Sequence, residues 1–336
     1  MNRLIKVTLP KNIDKKYRYE FVNLNYYLSQ LQVFHLSNVL ITFEGTCLIN
    51  NNLVKESVYG YRDKITIFSL TARLSLEFNT IFYHDSNHYL LVHSPIYSYY
   101  HWLTATIPRL YMVKSQIDKL ILLLPVSLKN NSFIEESLAP FGINNIRYIL
   151  KNTNIKVTHL VLPQIKPFFD SYYPEVVNEI REFYSNIVRK ENGLKNEFKT
   201  RIFLTDKIEN KHRIYNIKEV HSLLHKYDIK SINILDYSFY EQIQIMQNSN
   251  LIISPSGDDL ACISFMKKGT SLLELFKEQT NEIDKPNLRY LNLASCLGIK
   301  YYYQFCSTTR NNHPGNLSKI NVDISLLENN IELMCQ

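Results

Sequence analysis

Between residues 200 and 305, short runs of consecutive apolar residues alternate with stretches in which apolar positions recur every three or four residues. The runs RIFLT (201–205), INILD (232–236), LIIS (251–254), SLLELF (271–276) and IKYYYQF (299–305) predict strands. The stretches 216–228, 238–249, 258–269 and 288–298 predict helices between them. Strands that alternate with helices of this length predict a parallel, doubly wound sheet. The first half is patterned differently. VLITFEG (39–45), TIFSL (66–70), TIFYH (80–84) and HYLLVHS (88–94) are separated by Asn, Gly and Asp, which predicts a β-rich start. Residues 101–116 carry Leu103, Ile107, Leu110 and Val113 at helical spacing, with a kink or restart expected at Pro108. KLILLLP (119–125) suits a strand covered on both faces, and a helix over 132–140 with apolar runs at 146–150 and 159–162 continues the α/β pattern. Residues 175–190 predict an amphipathic helix with Val176, Ile180, Tyr184 and Val188 on its apolar face. The charged stretch RKENGLKNEFK that follows, with Gly193 inside it, is read as a boundary. The expected domains are residues 1–192, β-rich and then α/β, and residues 193–336, Rossmann-like.

Length agrees with two domains, since 336 residues exceed what one core ordinarily holds. With 45% hydrophobic residues the chain can build sizeable cores. No stretch approaches the roughly 18 uninterrupted apolar residues of a membrane span. The opening MNRLIKVTLPKNIDKK does not read as a secretory signal. The five cysteines, Cys47, Cys262, Cys296, Cys306 and Cys335, show neither metal-ligand spacing nor a disulfide framework, so a cytoplasmic location is expected. The net charge of +7 is spread over many lysines. It reads either as ordinary solubility or as attraction to phosphate-bearing substrates and to the anionic inner face of a plasma membrane. Nucleic acid is not an expected partner, because no basic stripe interleaved with aromatics is present.

In doubly wound sheets ligands bind beyond the carboxyl ends of the strands. That directs attention to the loops at 205–215, 236–238, 254–259 and 276–287. Ser256 and Gly257 stand between a strand and a helix, where free amides form an anion site. The competing reading is a plain helix cap by Ser256 or Asp258. Asp258 and Asp259 follow, where they would repel an anion. Glu274 lies near a strand end and could accept from a ribose diol, or be an exposed charge. Arg213 precedes the helix at Asn216, where it could hold a phosphate, while Asn216 and Glu219 read as a capping box. Ser238 and Glu241 read as a second capping box, which leaves Gln242 unexplained. His101 and Trp102 open the first-half helix that also carries Arg109. GxGxxG, GK[ST], GxSxG and HExxH motifs are absent, and so is any Asp-x-Asp with which metal-dependent sugar transferases hold a cation. No metal and no cofactor is therefore expected.

Together these segments resemble glycosyltransferase family 61. The stretch YYHWLTATIPRL matches the family at His101, Trp102, Pro108, Arg109 and Leu110, with Ala105 where the family has an acid. RIFLT and then RIYN match at Arg213 and Asn216, with Thr205 and Asp206 where a second Arg is usual. Residues 237–275 match in order and spacing at Ser238, Glu241, Gln242, Gly257, Leu260, Phe265, Met266, Gly269 and Glu274. Ser256 replaces a His there, Asp258 and Asp259 replace Ala-Gly, and Cys262 replaces an Asn. The resemblance implies a GT-B-like fold of two Rossmann-like domains facing a cleft. It implies an inverting transferase of cell-surface polysaccharide synthesis that uses a nucleotide sugar and a glycan or lipid-linked acceptor. His101 would be the base, with Asp258 and Asp259 as further candidates. Arg213, Gln242, Ser256, Gly257 and Glu274 would hold the donor, and Trp102 and Arg109 would line the acceptor side. The alternatives are a binding homologue without activity and a different enzyme of nucleotide sugars, such as an epimerase.

Overall fold

The computed structural model describes residues 2–58, 77–93, 95, 97–164, 171–192, 200–205, 213–278, 287–308 and 319–336. The chain forms two compact units, one of residues 1–3 and 27–171 and the other of residues 4–26 and 172–336. Short strands Arg3–Ile5 (β1) and Tyr26–Leu28 (β2) fall where the chain passes from one unit to the other. The observed division differs from the expected boundary after residue 192 in two segments, since residues 4–26 and the helix Pro174–Asn192 both belong to the second unit. That helix packs on helices of the second unit.

The first unit holds a seven-stranded mixed sheet. Its strands are Val33–Ile41 (β3), Cys47–Ile49 (β4), Asn52–Leu53 (β5), Asn79–Leu91 (β6), Leu120–Pro125 (β7), Ile146–Ile149 (β8) and Thr153–Pro163 (β9). Their spatial order is β5-β4-β3-β9-β6-β7-β8. β8, β7, β6 and β9 are mutually parallel, and β3, β4 and β5 continue the sheet antiparallel. Taken in chain order the parallel strands lie 3-2-1-4, the order of one half of a Rossmann sheet, with its switch point between β6 and β9. Tyr89, Leu91, Leu123, Val157 and Leu160 are among its buried core residues. TIFYH and HYLLVHS turn out to be one strand, β6, because a register shift between Tyr83 and His88 absorbs the polar residues between them. TIFSL at 66–70 lies outside the described residues.

The helix expected at 101–116 is broken into pieces. Tyr99–His101 (α1) passes into a π-turn at Trp102–Thr106, then Ile107–Met112 (α2) and a 3-10 turn at Lys114–Lys119. Pro108 accounts for the break. Its ring has no N–H and would crowd a carbonyl one turn back, and the wider turn just before it relieves that clash. Ser132–Leu138 (α3) matches the expected short helix.

In the second unit Pro174–Asn192 is α4. The later elements are β10 (Thr200–Leu204), α5 (Ile217–Lys226), β11 (Ile229–Ile232), α6 (Phe239–Asn248), β12 (Ser249–Pro255), β13 (Ser271–Lys277), α7 (Arg289–Leu297), β14 (Lys300–Thr308), β15 (Ile320–Asn321) and α8 (Ile324–Cys335). The sheet order is β11-β10-β12-β13-β14-β15, with the first five strands parallel and β15 antiparallel. In chain order the parallel strands lie 2-1-3-4-5, a second doubly wound order, with its switch point between β10 and β12. Phe203, Ile253, Leu273, Leu224 and Ile331 are in its core.

Two elements differ from expectation. The strand expected at INILD is displaced to Ile229–Ile232, and Ile234–Asp236 is a 3-10 turn. Asn233 drives the change: its Oδ1 accepts the Leu235 N–H at 3.2 Å, which competes with extended backbone. The helix expected at 258–269 is a 3-10 helix, Asp258–Phe265. Leu260, Ala261, Cys262, Ile263 and Phe265 are all buried in it, so packing from several sides sets its geometry more than helix propensity does.

Candidate active site

The switch point of the second unit carries a cluster of charged side chains. β12 ends at Pro255, the chain turns through Ser256 and Gly257, and the 3-10 helix begins at Asp258. Ser256 N–H bonds back to Leu275 O, and the first bond inside the helix runs from Leu260 N–H to Gly257 O. The amides of residues 257–259 therefore precede the first intrahelical bond, as donors at a helix start do. Arg213, which follows the loop after β10, lies over this turn. Its Nη1 donates to Ser256 O at 3.0 Å and Pro255 O at 3.3 Å. Its Nη1 and Nη2 also grip Asp259 in a fork, at 3.2 and 2.7 Å.

Asp258 is held by a second cation, Arg289, whose Nη2 lies 3.0 Å from its carboxylate. Arg289 opens α7, after the loop that follows β13. Sequence reasoning pointed to that loop but not to this residue. The next residue, Tyr290, donates its hydroxyl to Gly257 O at 2.5 Å. The pair of aspartates thus does not leave a net negative loop, because two guanidiniums balance two carboxylates. The turn also explains its glycine. A Cβ on Gly257 would lie 1.8 Å from Arg213 Nη1 and 2.5 Å from Asp259 Oδ1. Replacing Gly257 by Ala is expected to push the ends of the Arg213 and Asp259 side chains off the turn and to cost about 1–2 kcal/mol through the hydrogen bonds that Arg213 loses. Chemical denaturation reads this, and an unchanged midpoint would contradict the close approach.

Glu274 sits beneath the same loop. It is fully buried in β13, which removes the reading of an exposed strand-end charge. Its Oε2 accepts from the Tyr301 hydroxyl at 2.6 Å. Burial pushes its carboxyl up to about 7, although hydrogen bonds from Tyr301 and Ser256 and the charge of Arg289 pull the other way. The folded form therefore binds this proton more tightly than the unfolded chain does. The resulting stability is complete below about pH 4.5, declines as pH rises, and is lost above about pH 7. On the order of 3 kcal/mol rides on a shift of this size. Glu274→Gln is expected to flatten that slope, read as the difference between wild-type and variant denaturation midpoints across pH 4.5–7.5; parallel profiles would contradict it.

Gln242 is buried in α6, where its amide donates to Tyr237 O at 2.9 Å. Ser238 and Glu241 form the expected capping box. Asn216 does not form the other one. Its side chain instead bridges to Val322, accepting its N–H at 2.9 Å and donating to its carbonyl at 2.8 Å. Residues 206–212 of the loop that precedes Arg213 lie outside the described residues.

His101, Trp102 and Arg109 belong to the first unit. His101 is buried, with Nδ1 3.0 Å from Ser98 Oγ, the N-cap of α1. Trp102 is buried and donates its indole N–H to Ser137 Oγ at 2.9 Å. Arg109 is one of the largest buried side chains. It donates to Pro163 O (2.8 Å), Val92 O (2.6 Å), His93 O (3.0 Å) and Leu91 O (3.0 Å). These carbonyls lie at the carboxyl ends of β6 and β9, so Arg109 ties the switch point of its own sheet together. Burial, with the Arg109 charge nearby, pushes the adjacent His93 down to about 3, so it stays neutral.

The fold thus brings Arg213, Ser256, Gly257, Asp258, Asp259 and Glu274 to one strand-end site and adds Arg289. Among the described residues no group of three or more His, Cys, Asp or Glu side chains is placed to hold a metal ion. A family model described as Glycosyltransferase 61 matches residues 99–273, just over half of the chain. That span takes in His101, Trp102, Arg109, Arg213 and the turn at Gly257, and stops before Glu274 and Arg289. No curated protein matches the chain.

Proposed function

The chain belongs to glycosyltransferase family 61, and we propose that it moves a sugar from a nucleotide-sugar donor to a polysaccharide or lipid-linked glycan acceptor. The reading is carried by one observation: a guanidinium fixed over a glycine turn at a strand-end switch point, beside amides at a helix start. That is a suitable seat for a diphosphate. Charge builds on the diphosphate as the glycosidic bond breaks, and fixed cations and amides stabilise it without a metal. Arg213 and the amides of residues 257–259 are assigned this role, with Arg289 beside them. Ser256 and Gln242 are assigned to the donor side, and the Glu274 carboxyl to the donor ribose.

In this reading the fold is of the GT-B type, with the second unit as the donor domain. The reaction inverts the anomeric centre, so a base must take the acceptor proton. His101 is assigned that role, because Ser98 fixes its ring. Asp258 and Asp259 are less suited to it, since each is held by an arginine. Trp102 and Arg109, both buried, shape the acceptor side from within. The setting is cell-surface polysaccharide synthesis at the cytoplasmic side of a membrane. Loss of transfer in both His101→Ala and Arg213→Ala tests the assignment, and full activity in both would overturn it.

A second reading rests on Asp259, whose carboxylate already occupies the fork of Arg213. A homologue that binds a nucleotide without transferring sugar would show the same contact. Binding without turnover over a broad panel of donors and acceptors would favour that version.

A further inference from the structure

Residues 4–26 belong to the second unit as a strap laid along β14 and α7. Lys11 N–H donates to Tyr301 O at 2.8 Å, and Thr8 N–H to Ser295 Oγ at 2.9 Å. Asn12 Nδ2 donates to Tyr303 O at 2.7 Å. The Tyr17 and Phe21 rings pack on Phe305 and Tyr303, each pair with centroids 4.6 Å apart. Ile5, Pro10 and Phe21 are buried. Several apolar side chains of the strap are exposed. Leu4, Leu9, Tyr19 and Val22 are 41%, 44%, 64% and 53% exposed. They are four of the fourteen large hydrophobic side chains exposed among the described residues, gathered within 19 positions. Interleaved with them are Lys6, Lys11, Lys15, Lys16 and Arg18, all exposed, against two acids, Asp14 and Glu20. Asp14 is turned back to accept the Lys16 N–H at 2.8 Å, and Lys16 pairs with Glu278. Lys6, Lys11, Lys15 and Arg18 make no ion pair among the described residues.

We propose that the outward side of this strap docks the enzyme on a membrane surface rich in anionic headgroups. The inference rests on the reading that the acceptor is made at a membrane, and it names the surface that makes the contact. Exposed Leu, Val and Tyr can enter the boundary between headgroups and acyl chains while basic side chains reach the phosphates. A protein partner fits less well, since lysine is depleted from the centre of such interfaces. The strap is held by the main-chain N–H groups of Thr8 and Lys11 and by the side chains of Asn12, Tyr17 and Phe21, so the other side chains can be changed without removing these contacts.

Co-sedimentation of the full chain with vesicles tests this, using phosphatidylcholine alone or with one-third phosphatidylglycerol. Wild type is expected to bind the anionic vesicles at low salt and to be released by salt. Neutralising Lys11, Lys15 and Arg18 to Gln should lower the partition coefficient about fivefold per side chain, roughly a hundredfold together. Neutralising Lys151, Lys218 and Lys230 to Gln removes the same charge elsewhere and should have little effect. Leu9→Ser, Tyr19→Ser and Val22→Ser should weaken binding and leave its salt dependence unchanged. Thermal melts at the wild-type midpoint would show that the variants fold. Wild-type binding that the strap variants retain would overturn the surface but keep the membrane reading. No wild-type binding to either vesicle would overturn both. Equal losses in the two triple variants would reduce the effect to net charge and overturn the proposal. So would strap variants that lose retention on an acidic polysaccharide but not on vesicles.

Discussion

Arg109→Ala is expected to destabilise the first unit by about 4 kcal/mol, a large part of the 5–15 kcal/mol that holds a typical protein folded. Four main-chain carbonyls, of Leu91, Val92, His93 and Pro163, take their bonds from one buried guanidinium. Removing it leaves those groups with less than their full complement in a water-poor site, where each deficit costs about 1–3 kcal/mol unless water enters. A cavity adds to the loss. Arg109→Lys should recover only part, because an ammonium donates from one point and a guanidinium from a planar fork. Urea titrations of the three proteins measure this. A loss below about 1 kcal/mol in Arg109→Ala would contradict the clamp.

Arg213→Ala is expected to lower kcat by roughly 10²–10³, the usual cost of removing one group that stabilises charge in the transition state. KM for the donor should change less, since the benefit grows as the leaving diphosphate gains charge. Arg213 also fastens the turn at Pro255 and Ser256, so a melt must accompany the kinetics. Asp259→Asn separates the roles. It loosens the fork and keeps the cation, so it should cost less than the loss of Arg213. If both variants keep wild-type kcat, Arg213 serves the fold alone.

Much of this was legible in the sequence, and what was not shares a physical cause. The second sheet could be read because its buried strands are apolar runs and its helices carry a three-to-four periodicity. INILD misled because a side-chain bond of Asn233, which no apolar pattern encodes, bends the backbone. Gly257 was readable as a turn. The reason for it was not, since the constraint is a guanidinium 44 residues earlier in the chain. Arg109 stood out in its motif, but its partners are carbonyls, which look the same in every residue. Glu274 could be read from its position as a ribose acceptor or as an exposed charge, and only the packing of β13 against its neighbours shows that it is buried. Arg289 carried no local signal, because its role depends on Asp258, which the fold brings to it.

The central claim is that the turn at 255–259 with Arg213 seats the donor diphosphate. Thermal-shift titration with a panel of nucleoside diphosphates, run in parallel on wild type and Arg213→Ala, tests it most directly. A ligand at 100 times its Kd should stabilise wild type by about 2.7 kcal/mol. Such a shift is expected for at least one nucleotide, as is its loss in Arg213→Ala. Failure of every nucleotide to shift wild type, or an equal shift in the variant, would contradict it.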